Sequence, residues 1–193
     1  GGLTPELTPE IYQLTGGNPM ANAVATAVIK RLEEGEKPVD PNNFAEYAPA
    51  LARKIFDQCI TNHAFAELDS TNQTALTLVA PVRLFDAKML GQVLKSSGGD
   101  QFKGWGNEQF GDLLLKLKRT KLLVWDRGYR IHPTLRPVIN SHLSLNESDT
   151  FGRIHLATVS VYEDWLEKNL ENRGMMICDL LYHMASLNGF CDN

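Results

Sequence analysis

The stretch from Asn107 to His132, NEQFGDLLLKLKRTKLLVWDRGYRIH, changes its period midway. In its first half Phe110, Leu113, Leu114 and Leu117 recur at helical spacing on one face, with Asn107 as a candidate cap. After Thr120 the apolar period becomes two. Lys121–Trp125 and Tyr129–His132 then read as strands around the turn Asp126-Arg127-Gly128. The rest of the chain is read outward from this helix and the hairpin that directly follows it.

Upstream, Ser70 or Thr71 is placed to cap a helix carrying Leu76, Leu78 and Val79 up to Pro81. A shorter helix, Ala87–Leu94, is entered through Phe85-Asp86, and Lys95–Asp100 reads as loop. Downstream, Pro133 opens a helix containing Leu135, Val138, Ile139 and Leu143. Over 70–143 the order is helix, helix, helix, β-hairpin, helix. That order predicts a winged-helix domain, and a generic α+β bundle is the alternative.

The N-terminal part predicts helices only. Thr8-Pro9-Glu10 opens a short one, with Thr8 as cap, and Gly16-Gly17 stops it. Asn18 caps the next, Pro19 takes its first position, and Met20, Val24, Val28, Ile29 and Leu32 recur at helical spacing up to an end near Gly35. Lys37–Asn43 is loop by composition, and Glu33-Glu34 with Glu36 reads as a solvated helix end. Phe44, Tyr47, Leu51, Ile55, Phe56 and Cys59 mark a third amphipathic helix to about Asn62. Two last helices are expected at about 147–170 and 174–188. The expected fold class is mainly α: a helical domain over 3–66, a winged-helix domain over 67–145, and C-terminal helices over 146–193.

Composition agrees with a folded protein. Of 193 residues 43% are hydrophobic and 22% charged, with 19 Lys+Arg against 23 Asp+Glu and a formal net charge of −4. No run approaches the roughly 18 apolar residues of a membrane span, and no basic-then-apolar leader is visible at the N-terminus. Three widely spaced cysteines, Cys59, Cys178 and Cys191, fit free thiols in a reducing compartment, which leads us to expect a cytoplasmic protein.

Catalytic signatures are missing. The sequence holds no GxxxxGK[ST] phosphate loop and no GxGxxG, CxxC, HExxH or GxSxG. His63, His142, His155 and His183 are scattered without metal-ligand spacing, and Cys178 with His183 makes only a weak pair. No enzymatic activity, metal or cofactor is therefore expected of this chain alone. Trp125 and Trp165 are expected in the core, and Trp105, between glycines, partly exposed.

The stretch Leu14-Thr15-Gly16-Gly17-Asn18-Pro19-Met20 resembles the sensor motif in the small helical lid of STAND NTPases, signal-transducing relatives of AAA+ ATPases. In that family a Gly-x-Pro element, here Gly17-Asn18-Pro19, is followed by a winged helix. The hairpin of that winged helix ends in an MHD-like motif whose His reaches the β-phosphate of bound ADP. Arg130-Ile131-His132-Pro133 is similar to this motif, with Pro133 in place of the usual Asp. Residues 155–189, with His155, Tyr162, Trp165 and Leu180-Leu181-Tyr182-His183, resemble the helical linker that follows. The resemblance covers about residues 8–189, and the order of its short motifs carries it.

The resemblance implies a regulatory module without the nucleotide-binding core, an excised C-terminal part of a larger ATPase. Gly17, Pro19 and His132 would contact ADP or ATP only in the intact parent. The module would close over ADP at rest and rearrange on activation so that protomers assemble. The expected partners are the nucleotide-binding domain of the same chain and further copies of the activated parent, with no membrane. Read as residues alone, Pro19 is a good first helical residue and His132 an ordinary histidine at a strand end.

The alternative is a DNA-binding transcriptional regulator. Between 100 and 140 eight basic residues (Lys103, Lys116, Lys118, Arg119, Lys121, Arg127, Arg130, Arg136) face four acidic ones (Asp100, Glu108, Asp112, Asp126). Yet the start of the would-be recognition helix, Asn107–Asp112, offers two carboxylates and no arginine to base edges.

Overall fold

The computed structural model describes residues 5–33, 39–168 and 173–191. The expected helix stop at Gly35, the residues Glu34, Glu36, Lys37 and Pro38, and the 169–172 connection lie outside them. The protein is mainly helical, with one two-stranded antiparallel sheet among the described residues. No helix of the described residues is long and apolar enough to cross a membrane.

The chain groups into two compact units. The first holds residues 1–68 and 133–148, the second 69–132 and 149–193. This differs from the three-segment division at 66/67 and 145/146. The helix after the hairpin packs with the N-terminal helices, and the C-terminal helices group with the hairpin.

In the first unit α1 (Thr8–Thr15) and α2 (Pro19–Glu33) are joined by the Gly16–Asn18 turn. Thr8 is the first residue of α1, not its cap: the single 3-10 turn Pro5–Leu7 runs straight into the helix. α3 (Phe44–Ile55) continues without a break into nine residues of wider π-helical turn, Phe56–Ala64. α7 (Arg136–Asn146) packs against α3 and α1. It begins three residues later than Pro133 suggests, and its Pro137 lies in the first turn, where no N–H is needed. Leu7, Ile11, Ala25, Ile29, Leu51, Ile55, Ile60, Val138, Ile139 and Leu143 form this unit's core.

The second unit begins with α4 (Ser70–Val79), α5 (Ala87–Ser97) and α6 (Asn107–Arg119). Asp69, not Ser70 or Thr71, caps α4; its carboxylate accepts the Asn72 N–H at 2.8 Å and favours the positive end of the helix dipole. Asp86 caps α5 in the same way through Met89. Gly106 precedes α6, and its N–H donates to Gln109 Oε1 at 2.6 Å, so Asn107 is the first helical residue and not the cap. The hairpin pairs β1 (Leu123–Trp125) with β2 (Tyr129–Ile131), Val124 opposite Arg130. Phe85, between α4 and α5, forms a further antiparallel bridge to Tyr129. α8 (Ser148–Lys168) and α9 (Arg173–Cys191) complete the chain.

Candidate functional site

The turn that carries Gly17 and Pro19 is tightly specified. Gly16 closes α1 with φ +58° and donates its N–H to Tyr12 O at 2.8 Å; Gly17 follows at φ +77°. The buried Thr15 hydroxyl donates to Ile11 O and accepts the Gly17 N–H at 3.2 Å. Asn18 Oδ1 accepts the N–H groups of Met20 and Ala21 at 3.0 and 3.1 Å, the cap expected from the sequence. Pro19 is exposed at the first position of α2.

This turn is seated on the segment after the hairpin. Asn18 Nδ2 donates to Thr134 O at 2.9 Å, and a Cβ at Gly16 would lie 2.4 Å from Pro137 Cγ. Thr134 stands two residues along the chain from His132. His132 itself is half-buried at the end of β2 and donates its N–H to Leu122 O at 2.8 Å. Gly17 and Pro19 belong to the first unit and His132 to the second.

α6 exposes Lys116, Lys118 and Arg119 near its C-terminus and Glu108 and Asp112 in its first turns. Lys118 Nζ lies 5.2 Å from the Tyr129 ring centroid, beside the turn end of the hairpin. Trp125 is 66% exposed, contrary to the core position expected, because β1 is a two-sided strand of a small hairpin and its outward face has no layer over it. Trp165 is half-buried. Trp105 is too, and it packs against Phe102 and Phe110.

A polar cluster that sequence reasoning did not assemble lies inside the second unit. Asp179 is 4% exposed, with Oδ1 3.2 Å from Arg83 Nε; the Tyr162 hydroxyl donates to its Oδ2 at 3.3 Å. Burial, and next the Asp179 carboxylate, push the Tyr162 phenol far above its ordinary pKa. His155 and His183 are fully buried, with their Nδ1 atoms 2.8 Å apart. The signal was present as spacing: Asp179 and His183 are four apart on α9, and His155 and Tyr162 seven apart on α8, so each couple shares a face. Beside this cluster Leu84, Trp125, Tyr162, Trp165, Met175 and Asp179 line a cleft of about 230 Å³.

In the first unit His142 is buried and stacked on Phe56, centroids 4.1 Å apart, with Nε2 3.4 Å from Glu147 Oε1. Burial lowers its pKa, and Glu147 opposes that shift. Cys59 is a buried free thiol whose pKa burial raises; Cys178 is exposed and free. Among the described residues no group of three or more His, Cys, Asp or Glu side chains is arranged to hold a metal ion. No protein-family model, curated protein or solved structure matches this chain.

Proposed function

We propose that this chain is the regulatory portion of a STAND-type signal-transduction ATPase, a helical lid followed by a winged helix and a helical linker. In this reading it is not a catalyst. It holds the nucleotide-binding domain of the parent protein closed over ADP and rearranges on activation so that protomers assemble. Gly17 and Pro19 line the adenine side and His132 donates to a phosphate. The setting is cytoplasmic, with thiols reduced.

One observation carries the reading. The order α4, Phe85 bridge, α5, α6, β1, β2 agrees with the order expected of a winged helix, and the Gly-Asn-Pro turn precedes it in the chain, its Asn18 fixed by a hydrogen bond to Thr134 O. A turn of that precision is more than a helix stop needs: α2 could start from Asn18 without any contact to Thr134.

The test is nucleotide binding by calorimetry. The 193-residue chain alone binds no ADP at micromolar concentration, and the longer protein that contains a phosphate loop binds ADP tightly. Micromolar ADP binding by the chain alone would overturn the division of labour.

The exposed basic end of α6 favours a second reading, a winged-helix DNA-binding regulator. It predicts DNA binding retained near physiological salt, with an affinity falling steeply as salt rises. The exposed Glu108 and Asp112 at the opposite end of α6 weigh against it, since those turns would meet the base edges.

A further inference from the structure

The cleft between the hairpin, α8 and the start of α9 gathers aromatic surface in one place. Trp125 of β1, Tyr162 and Trp165 of α8 and Met175 of α9 line it, around a volume of about 230 Å³. The Tyr162 and Trp165 rings meet almost at right angles, 86° with centroids 5.6 Å apart. Trp125 is 66% exposed, yet its ring is held by an edge contact to Tyr129, centroids 4.7 Å apart. A ligand would therefore find these rings already placed. The volume lies below the range of about 300–1,000 Å³ for drug-sized ligands, so the cleft suits a compact group.

The polar atoms of the lining narrow the chemistry. Two carboxylates, Asp86 and Asp179, line the cleft with one guanidinium, that of Arg127. Asp179 is already engaged through both oxygens: Oδ1 lies 3.2 Å from Arg83 Nε, and Oδ2 accepts the Tyr162 hydroxyl at 3.3 Å. Asp86 is exposed and spends Oδ1 on the Met89 N–H. Arg127 is exposed too, and its Nε lies 3.7 Å from Asp126 Oδ1, which offsets part of its charge.

A primary ammonium has three N–H donors to satisfy, and this lining has few acceptors to spare. A quaternary ammonium has none. Its charge is spread over methyl groups, which are attracted to the negative faces of aromatic rings. The thioether of Met175 is a soft wall for the same methyl groups.

We propose that this cleft binds a small quaternary ammonium ion of the choline class, its methyl groups against Trp125 and Trp165 and its charge nearest Asp86.

The test is a choline chloride titration of the full 193-residue chain, read by indole 15N–1H NMR against sodium chloride at equal ionic strength. The cross-peaks of Trp125 and Trp165 shift and saturate with a Kd of about 1 mM or below, while Trp105, which lies outside the cleft, stays put. The comparison ligand is 3,3-dimethylbutan-1-ol, which has the shape of choline with carbon in place of nitrogen. It binds at least about 10-fold more weakly, because it lacks the charge that the rings and Asp86 attract. Trp125→Leu keeps apolar bulk at an exposed position and removes the ring face; it weakens choline about 3- to 30-fold and leaves the alcohol unchanged. Asp86→Asn keeps the cap of α5 and removes the charge; it weakens choline about 2- to 5-fold. Equal affinity for choline and the alcohol would reduce the cleft to an apolar groove and overturn the proposal. So would the absence of a saturable shift, or unchanged choline affinity in either folded variant.

Discussion

Phe85 and Tyr129 exchange a pair of backbone hydrogen bonds: the Phe85 N–H donates to Tyr129 O at 2.8 Å, and the Tyr129 N–H to Phe85 O at 2.9 Å. The bridge ties the connection between α4 and α5 to the outer side of the hairpin, so a two-stranded ribbon that would be marginal alone gains a third backbone partner. The Phe85 side chain is 2% exposed beneath it, tilted against the Tyr129 ring at 6.3 Å.

Phe85→Ala should therefore cost about 3–5 kcal/mol, the range for a buried aromatic deleted from a core. Urea denaturation reads the loss, and amide exchange should show the hairpin opening before α4 and α6. A cost under about 1 kcal/mol with an undisturbed hairpin would mean that the bridge does not anchor it.

Three glycines should respond with different signs. A Cβ at Gly91 of α5 would stand 2.8 Å from Phe110 Cδ2 in the core, so Gly91→Ala should destabilise by about 1–3 kcal/mol through overpacking. Gly111 of α6 has nothing within 4 Å of the added atom, and Gly111→Ala should stabilise by about 0.5–1 kcal/mol. Gly16→Ala meets both a left-handed φ of +58° and Pro137 Cγ at 2.4 Å. It should cost more than about 1 kcal/mol and loosen the turn that carries Gly17 and Pro19. Thermal melts of the three variants give the comparison.

Tyr162 supplies an alkaline prediction. Its phenol is raised far above the ordinary value of about 10 by burial and by the neighbouring Asp179. The folded state keeps its proton where the unfolded state would lose it. This contribution is complete below about pH 10 and is lost as pH rises toward the folded pKa. Absorbance titration at alkaline pH should leave one tyrosine un-ionised until the protein unfolds, and Tyr162→Phe should remove that late step. A late step that persists in the variant would assign it to another tyrosine.

Much of the fold was legible because its elements are punctuated locally. Gly16-Gly17, Asn18-Pro19 and Asp126-Arg127-Gly128 fix the turns by backbone chemistry that any environment preserves. The period switch after Thr120 marked the hairpin for the same reason. The caps at Asp69 and Gly106 were displaced by one or two residues, since Asp69 competes with Ser70 and Thr71 for one role and Gln109 can reach back to Gly106. The grouping of α7 with the N-terminal helices was not legible. Val138, Ile139 and Leu143 state that the helix has an apolar face but not which surface covers it. Long-range polar partners were equally silent: Arg83, Tyr162 and Asp179 are separated by 96 positions end to end, and only the folded chain brings them together. Trp125 was misplaced because alternation along a strand does not tell which of its faces is covered.

The central claim is that His132 helps hold ADP in a closed parent protein, and the ADP dissociation rate of that intact protein tests it most directly. A hydrogen bond to a charged phosphate is worth about 1.5–3 kcal/mol. His132→Ala should then speed ADP release by roughly 10- to 100-fold and raise activity in the absence of signal. The hairpin should stay folded, because the His132 backbone N–H, not its ring, completes the bond to Leu122 O. An unchanged ADP dissociation rate in a folded variant would contradict the account and return His132 to an ordinary strand-end histidine.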